Sequence, residues 1–162
     1  PASPSTFLFD SYSRTQIQKE MIHFQQAWEQ KSFKIALDCL TKILGLGIGL
    51  TPTGDDFITG LLASFSALQQ LPSNFQQLAV LAKERTNAVS YAEIHEAVNE
   101  RFSQLVQRVF LSIESGNTNE MAQAVSALEE VGSTSGSDIL CGIIFGLKLF
   151  CEENNHDNSN SN

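Results

Sequence analysis

Positive charge is scarce in this chain: ten Lys and Arg stand against 18 Asp and Glu, a formal net charge of −8. The few cations are dispersed, which argues against a phosphate backbone or an anionic membrane surface as the main partner. Cysteine is scarce too. Cys39, Cys141 and Cys151 form no CxxC pair and sit among apolar residues, so buried reduced thiols are expected in place of a disulfide framework or a zinc site. The longest nearly unbroken apolar run, Ile139–Phe150, is interrupted by Lys148 and too short for a bilayer. The opening Pro-Ala-Ser-Pro-Ser has neither the charged nor the apolar region of a signal peptide. A soluble, cytoplasmic protein is the expectation, with small molecules or other proteins as partners.

An alternating strand pattern is also missing, apart from the short Thr6–Phe9 segment. What is present is helical periodicity. Ile17, Met21, Phe24 and Trp28 recur at helical spacing, as do Phe33, Leu37, Leu40 and Ile43. Further helices are expected over Phe57–Leu71, Phe75–Val89, a long Ala92–Ile113, Asn119–Val131 and Ile139–Phe150. The fold class is therefore all-α, about seven helices in a single compact domain. With 42% apolar and 17% charged residues, the chain can fill one core. That domain spans residues 1–151. Residues 152–162, acidic and Asn-rich, read as a disordered tail.

Two glycine- and aspartate-rich blocks stand out. Residues 49–60 read Gly-Leu-Thr-Pro-Thr-Gly-Asp-Asp-Phe-Ile-Thr-Gly, and residues 133–142 read Ser-Thr-Ser-Gly-Ser-Asp-Ile-Leu-Cys-Gly. Thr53, Gly54, Asp56 and Gly60 match Ser135, Gly136, Asp138 and Gly142, and each block runs into an apolar stretch. The echo suggests an internal duplication, with the two helices packed face to face so that their loops open on one cleft. Helix capping accounts for part of it, because Thr53–Asp56 and Ser135–Asp138 both fit the capping-box pattern. Capping leaves two features unexplained: the alternating glycines Gly45, Gly47 and Gly49, and Asp55 beside Asp56.

Glycines permit positive φ and close backbone approach, and amides at a helix start bind anions. The loop thus reads as a cradle for a phosphate or carboxylate. Asp55, Asp56 and Asp138 would repel an anion unless a cation or an amide-bearing group lay between them, so Mg²⁺ or a substrate NH₂ group is implied. The motif is neither a dinucleotide fingerprint nor a P-loop. His95-Glu96-Ala-Val-Asn99 stops short of a zincin motif, since Asn99 replaces the second histidine.

The run Leu-Gly-Leu-Gly-Ile-Gly-Leu-Thr-Pro-Thr-Gly-Asp-Asp-Phe (44–57), with Arg85-Thr86-x-x-x-Ser90 and Ser-Thr-Ser-Gly-Ser-Asp (133–138), resembles the AllH-like family over about residues 40–150. The resemblance implies a subunit associated with oxamate carbamoyltransferase in purine and allantoin nitrogen catabolism. It also implies protein partners in a hetero-oligomeric enzyme, and a chain corresponding to the C-terminal portion of longer members. If the activity transfers, Asp55, Asp56 and Asp138 are the candidate catalytic residues. Gly47, Gly49, Thr51, Thr53, Gly54, Arg85, Ser135 and Gly136 would then bind a small anionic metabolite. Two alternatives stay open: a Mg²⁺-dependent hydrolase or phosphoryl-type enzyme using the three aspartates as ligands, and a non-catalytic scaffolding subunit that docks through an exposed apolar patch.

Overall fold

Local chemistry sets most of the helix ends. The computed structural model describes residues 4–159 and the side chains of residues 11–152. Among the described residues eight α-helices follow one another: α1 (Pro4–Glu29), α2 (Phe33–Ile43), α3 (Thr53–Ala67), α4 (Gln77–Arg85), α5 (Ala88–Val98), α6 (Gln104–Ser115), α7 (Thr118–Glu129) and α8 (Ser135–Ser159). A single 3₁₀ turn over Ser73–Gln76 leads into α4. No strand occurs among the described residues, and Thr6–Phe9 lies within α1. Most of the acidic tail falls outside the residues whose side chains are described.

Two helices expected from periodicity are each divided. Over Phe75–Val89, Thr86 turns extended and the Asn87 side chain accepts from Val89 N and Ser90 N, so α5 starts afresh there. Over Ala92–Ile113, the amides of Glu100 and Arg101 fold back on Ala97 O and Glu96 O, Glu100 takes φ 59°, and Ser103 caps α6. Val98, Phe102 and Leu105 keep a three-to-four-residue spacing across that break. Periodicity alone cannot see a turn that preserves its phase.

At the centre α3 and α8 run side by side from a common end. A Cβ added to Gly60 would lie 2.0 Å from Ile139 O, and one added to Gly142 would lie 2.1 Å from Phe57 O. These two contacts are images of each other, because Phe57 matches Ile139 and Gly60 matches Gly142 in the sequence echo. Farther along, Gly146 meets its own counterpart, Ser64, whose hydroxyl donates to Ile143 O at 2.9 Å. Gly54 abuts Ile43 O of α2 as Gly136 abuts Leu128 O of α7. The pair is isologous, residue for residue, as in a two-fold dimer. Each central helix thus has its own flanking hairpin, α1–α2 or α6–α7.

Aromatic residues fill the far end of this pair. Trp28 stacks on Phe65 with centroids 4.5 Å apart, and Phe24, Phe75, Phe145 and Phe150 complete the cluster. The α4–α5 hairpin closes the first half by laying Phe75, Leu78, Ala82, Ile94, Ala97 and Val98 into the same core as α2 and α3. One expectation needs correction. Only Cys39 is buried, whereas Cys141 and Cys151 are exposed, because α8 has no α4–α5 counterpart over its outer side among the described residues.

Candidate functional site

The near end of the helix pair is polar, and there the two loops meet. Thr51 Oγ1 and Ser135 Oγ lie 2.6 Å apart. At α3 the Thr51 hydroxyl does not cap: Pro52 is the N-cap, no side chain caps that helix, and Thr53 already lies inside it. The capping box expected over Thr53–Asp56 is therefore not formed.

Asp55, Asp56 and Asp138 are all buried, at 1%, 1% and 2% exposure. Their surroundings separate them. Both oxygens of Asp55 are engaged: Oδ1 accepts from Gly45 N at 2.7 Å and Oδ2 accepts from the Thr86 hydroxyl in a short bond. Burial raises its pKa, and the bonds from Gly45 and Thr86 offset part of that rise. Asp55 thus ties the glycine loop to the start of α5. Asp138 faces Arg14 of α1, Nη2 to Oδ1 being 3.4 Å.

Asp56 is different. Burial pushes its carboxyl up to about 7; the hydroxyls of Ser135 and Thr51 pull it down, and the charges of Glu93 and Asp138 push it further up. Its Oδ2 is buried with no hydrogen-bond partner. A carboxyl that titrates near neutrality and keeps one oxygen unused can take up or release a proton, donate to an oxyanion or accept from an NH₂ group. Beside it, Glu93 is raised by desolvation and by the charge of Asp55, although the residue as a whole is exposed.

The glycine loop curls over the start of α3. Gly45, Gly47 and Gly49 take φ of 71°, 135° and 106°, and a Cβ on Gly47 would sit 2.5 Å from Thr53 N. Only glycine fits that path. The nearby amides are not all available to a guest. Gly54 N donates to Leu46 O at 2.8 Å, and Asp55 N and Asp56 N donate to Pro52 O. Ile48, Gly49 and Leu50 form the exposed rim, held from below by Asn87 Nδ2 on Leu50 O.

Not every candidate converges here. The exposed Arg85 donates through Nη1 to Thr41 O near the end of α2, at 2.9 Å, and its own carbonyl abuts Gly45. Gly136 packs against α7, where a Cβ would meet Leu128 O. No group of three or more Asp, Glu, His or Cys among the described residues is arranged to hold a metal ion. His95 rests against Glu96 on the surface.

Thr86, Ser90, Asn87, Glu93 and Arg14 join the site without having been singled out from the sequence. Thr86 and Ser90 carried a signal, since they belong to the Arg85-Thr86-x-x-x-Ser90 segment that completes the family resemblance. Next to this end of α3 is a cavity of about 350 Å³ between α3, α5 and α6, lined by Thr59, Glu93, Arg101 and Ser103 among others. Its one cation, Arg101, is held by Glu96 through two bonds, which lowers the Glu96 pKa to about 2. No helix of the described residues is long and apolar enough to cross a membrane.

No solved structure matches the chain. Residues 43–147 match the family described as oxamate carbamoyltransferase subunit AllH, a span that takes in the glycine loop, both members of the central helix pair and the Thr86–Ser90 turn. By that match, which covers well over half its length, the chain belongs to the AllH family.

Proposed function

We propose that the chain works as a carbamoyltransferase subunit in purine and allantoin nitrogen catabolism, and that the meeting point of its two loops binds the small anionic substrate. Amides of the Gly47–Thr51 rim and the hydroxyls of Thr51 and Ser135 supply the donors. In the forward direction the oxamate amide nitrogen attacks the carbonyl carbon of carbamoyl phosphate. A C–N bond forms, the bond from carbon to the phosphate oxygen breaks, phosphate leaves with its electron pair, and the amide proton passes to Asp56. Phosphorolysis reverses each step. A base with a pKa near the working pH is the efficient choice for such a transfer.

One observation carries this reading: a wholly buried carboxyl, pushed up to about 7, sits beside two hydroxyls from the two loops and keeps one oxygen without a partner. Asp55 then serves as a positioning residue for the loop, and Asp138 as a neighbouring charge.

The test is Asp56→Asn in the enzyme assembled with its other subunits. Turnover should fall at least 100-fold, the scale on which a lost general base acts, while assembly is retained. Turnover within a few-fold of wild type would overturn the role of Asp56 and shift the balance to the scaffolding reading. That second reading has its own support in an apolar groove on α7 and α8.

A further inference from the structure

The isologous packing of α3 and α8 makes the two halves of the molecule comparable position by position, and at one place they differ. In the first half, α2 and α3 are covered by the α4–α5 hairpin. Ile58, Leu62 and Phe65 of α3 are wholly buried there, with Phe75, in the 3₁₀ turn that leads into the hairpin, approaching Phe65 at 6.1 Å between ring centroids. Their counterparts in the second half are Leu140, Ile144 and Leu147, and Ile144 is 50% exposed. Matching the halves on the Gly54–Ile43 and Gly136–Leu128 contacts pairs Ala36, which is wholly buried, with Met121, which is 38% exposed.

The surface left open is a groove of about 400 Å³ between α6, α7 and α8, lined by Val109, Met121, Val125, Leu140, Ile144 and Leu147. Among the described residues nothing lies over it.

We propose that this groove seats an amphipathic helix pair from a partner protein subunit, placed on α7 and α8 as α4 and α5 are placed on α2 and α3. This rests on the subunit part of the function proposed above and is independent of the anion site. The molecule supplies the precedent for the occupant, because a helical hairpin already covers the equivalent face and buries the equivalent side chains. An aliphatic or aromatic knob in the place of Phe75 would enter between α6 and α8. Charge favours the same occupant. The last turn of α4 carries Lys83 and Arg85, and Arg85 reaches the end of α2. The corresponding end of α7 bears Glu129, which lines the groove, and Glu130. A basic last turn on the partner helix is therefore complementary to it.

The test uses the full chain with the other subunits of the enzyme. Ile144→Glu introduces a charge on a half-exposed side chain and should leave the melting temperature of the isolated chain within a few degrees of wild type. Assembly should weaken by at least ten-fold, whereas Val80→Glu, on the exposed side of α4, should assemble normally. Thiol labelling gives a second readout. Cys141 lines the groove and should be protected in the assembly, while Cys151, exposed elsewhere on α8, serves as the comparison. An Ile144→Glu chain that assembles as tightly as wild type, with Cys141 still labelled, overturns the groove and leaves the subunit reading standing. Wild-type chain that joins no assembly overturns both. A concentration-dependent homodimer abolished by Ile144→Glu would make a second copy the occupant and sink the partner helix.

Discussion

Burying Asp56 has a consequence for stability that can be worked out in sign and size. Its carboxyl ordinarily titrates at 3.8 and is held at about 7 in the folded chain. An acid whose pKa is raised by folding contributes stability that is fully present below about 4 and is lost as pH rises through about 7. At about 1.4 kcal/mol per tenfold, the ionised form costs roughly 4 kcal/mol, and about half that once water penetration and relaxation are allowed for. For a chain of this length 1 kcal/mol corresponds to roughly 2–4 °C in Tm. Asp56→Asn keeps the shape of the neutral carboxyl and removes the titration. The comparison is thermal melting of both proteins from pH 4.5 to 8.5. The Tm of the variant minus that of wild type should rise by about 4–8 °C across the range, most of it between pH 5 and 7.5. Asp55 and Glu93 are raised in the same direction and steepen both curves, so the difference isolates Asp56. A difference that stays flat with pH would refute the buried, proton-holding carboxyl, and the general-base role would go with it.

Other outcomes follow from the same geometry. Gly60→Ala and Gly142→Ala each drive a methyl group to within about 2.1 Å of a backbone carbonyl across the helix pair, so each should cost about 3 kcal/mol or more in denaturant unfolding. Gly116→Ala meets only open space at positive φ and should cost about 1 kcal/mol. Asp55→Asn turns an NH₂ toward either Gly45 N–H or the Thr86 hydroxyl, so we expect a loss of roughly 2–3 kcal/mol and faster amide exchange across residues 45–51; unchanged exchange there would show that the loop does not depend on this tie. Arg85→Ala should leave turnover within about two-fold, because its guanidinium serves the end of α2; a large rise in KM would restore it as an anion ligand.

Much of this was legible in the residues themselves. Apolar spacing is a property of the chain, and it located the helices around Ile17–Trp28, Leu37–Ile43 and Leu61–Phe65. Glycine cannot be mistaken for other residues either, and the matched Gly60 and Gly142 announced the close pairing of α3 and α8. Where one apolar stripe carried on through a turn, as at Val98–Phe102, spacing had nothing to register. Cap chemistry at Asn87 and Ser103 held that information instead. The site was half legible: Thr51, Ser135 and the three aspartates stood in the two blocks and Thr86 in the third segment of the resemblance, whereas Glu93 and Arg14 carry ordinary surface chemistry until folding brings them in.

Composition and periodicity were enough to determine an all-helical chain, and the doubled glycine–aspartate pattern suggested two related halves whose loops meet, because these depend on interactions within a few residues or on a repeat visible in the string. Which aspartate is pushed toward neutrality, which one is consumed in tying down a loop, and which half, among the described residues, is left without a covering hairpin were decided only in three dimensions. A carboxyl's pKa and a side chain's exposure are set by what packs around them, and for Asp56 and Ile144 the neighbours that matter come from elements distant in the chain.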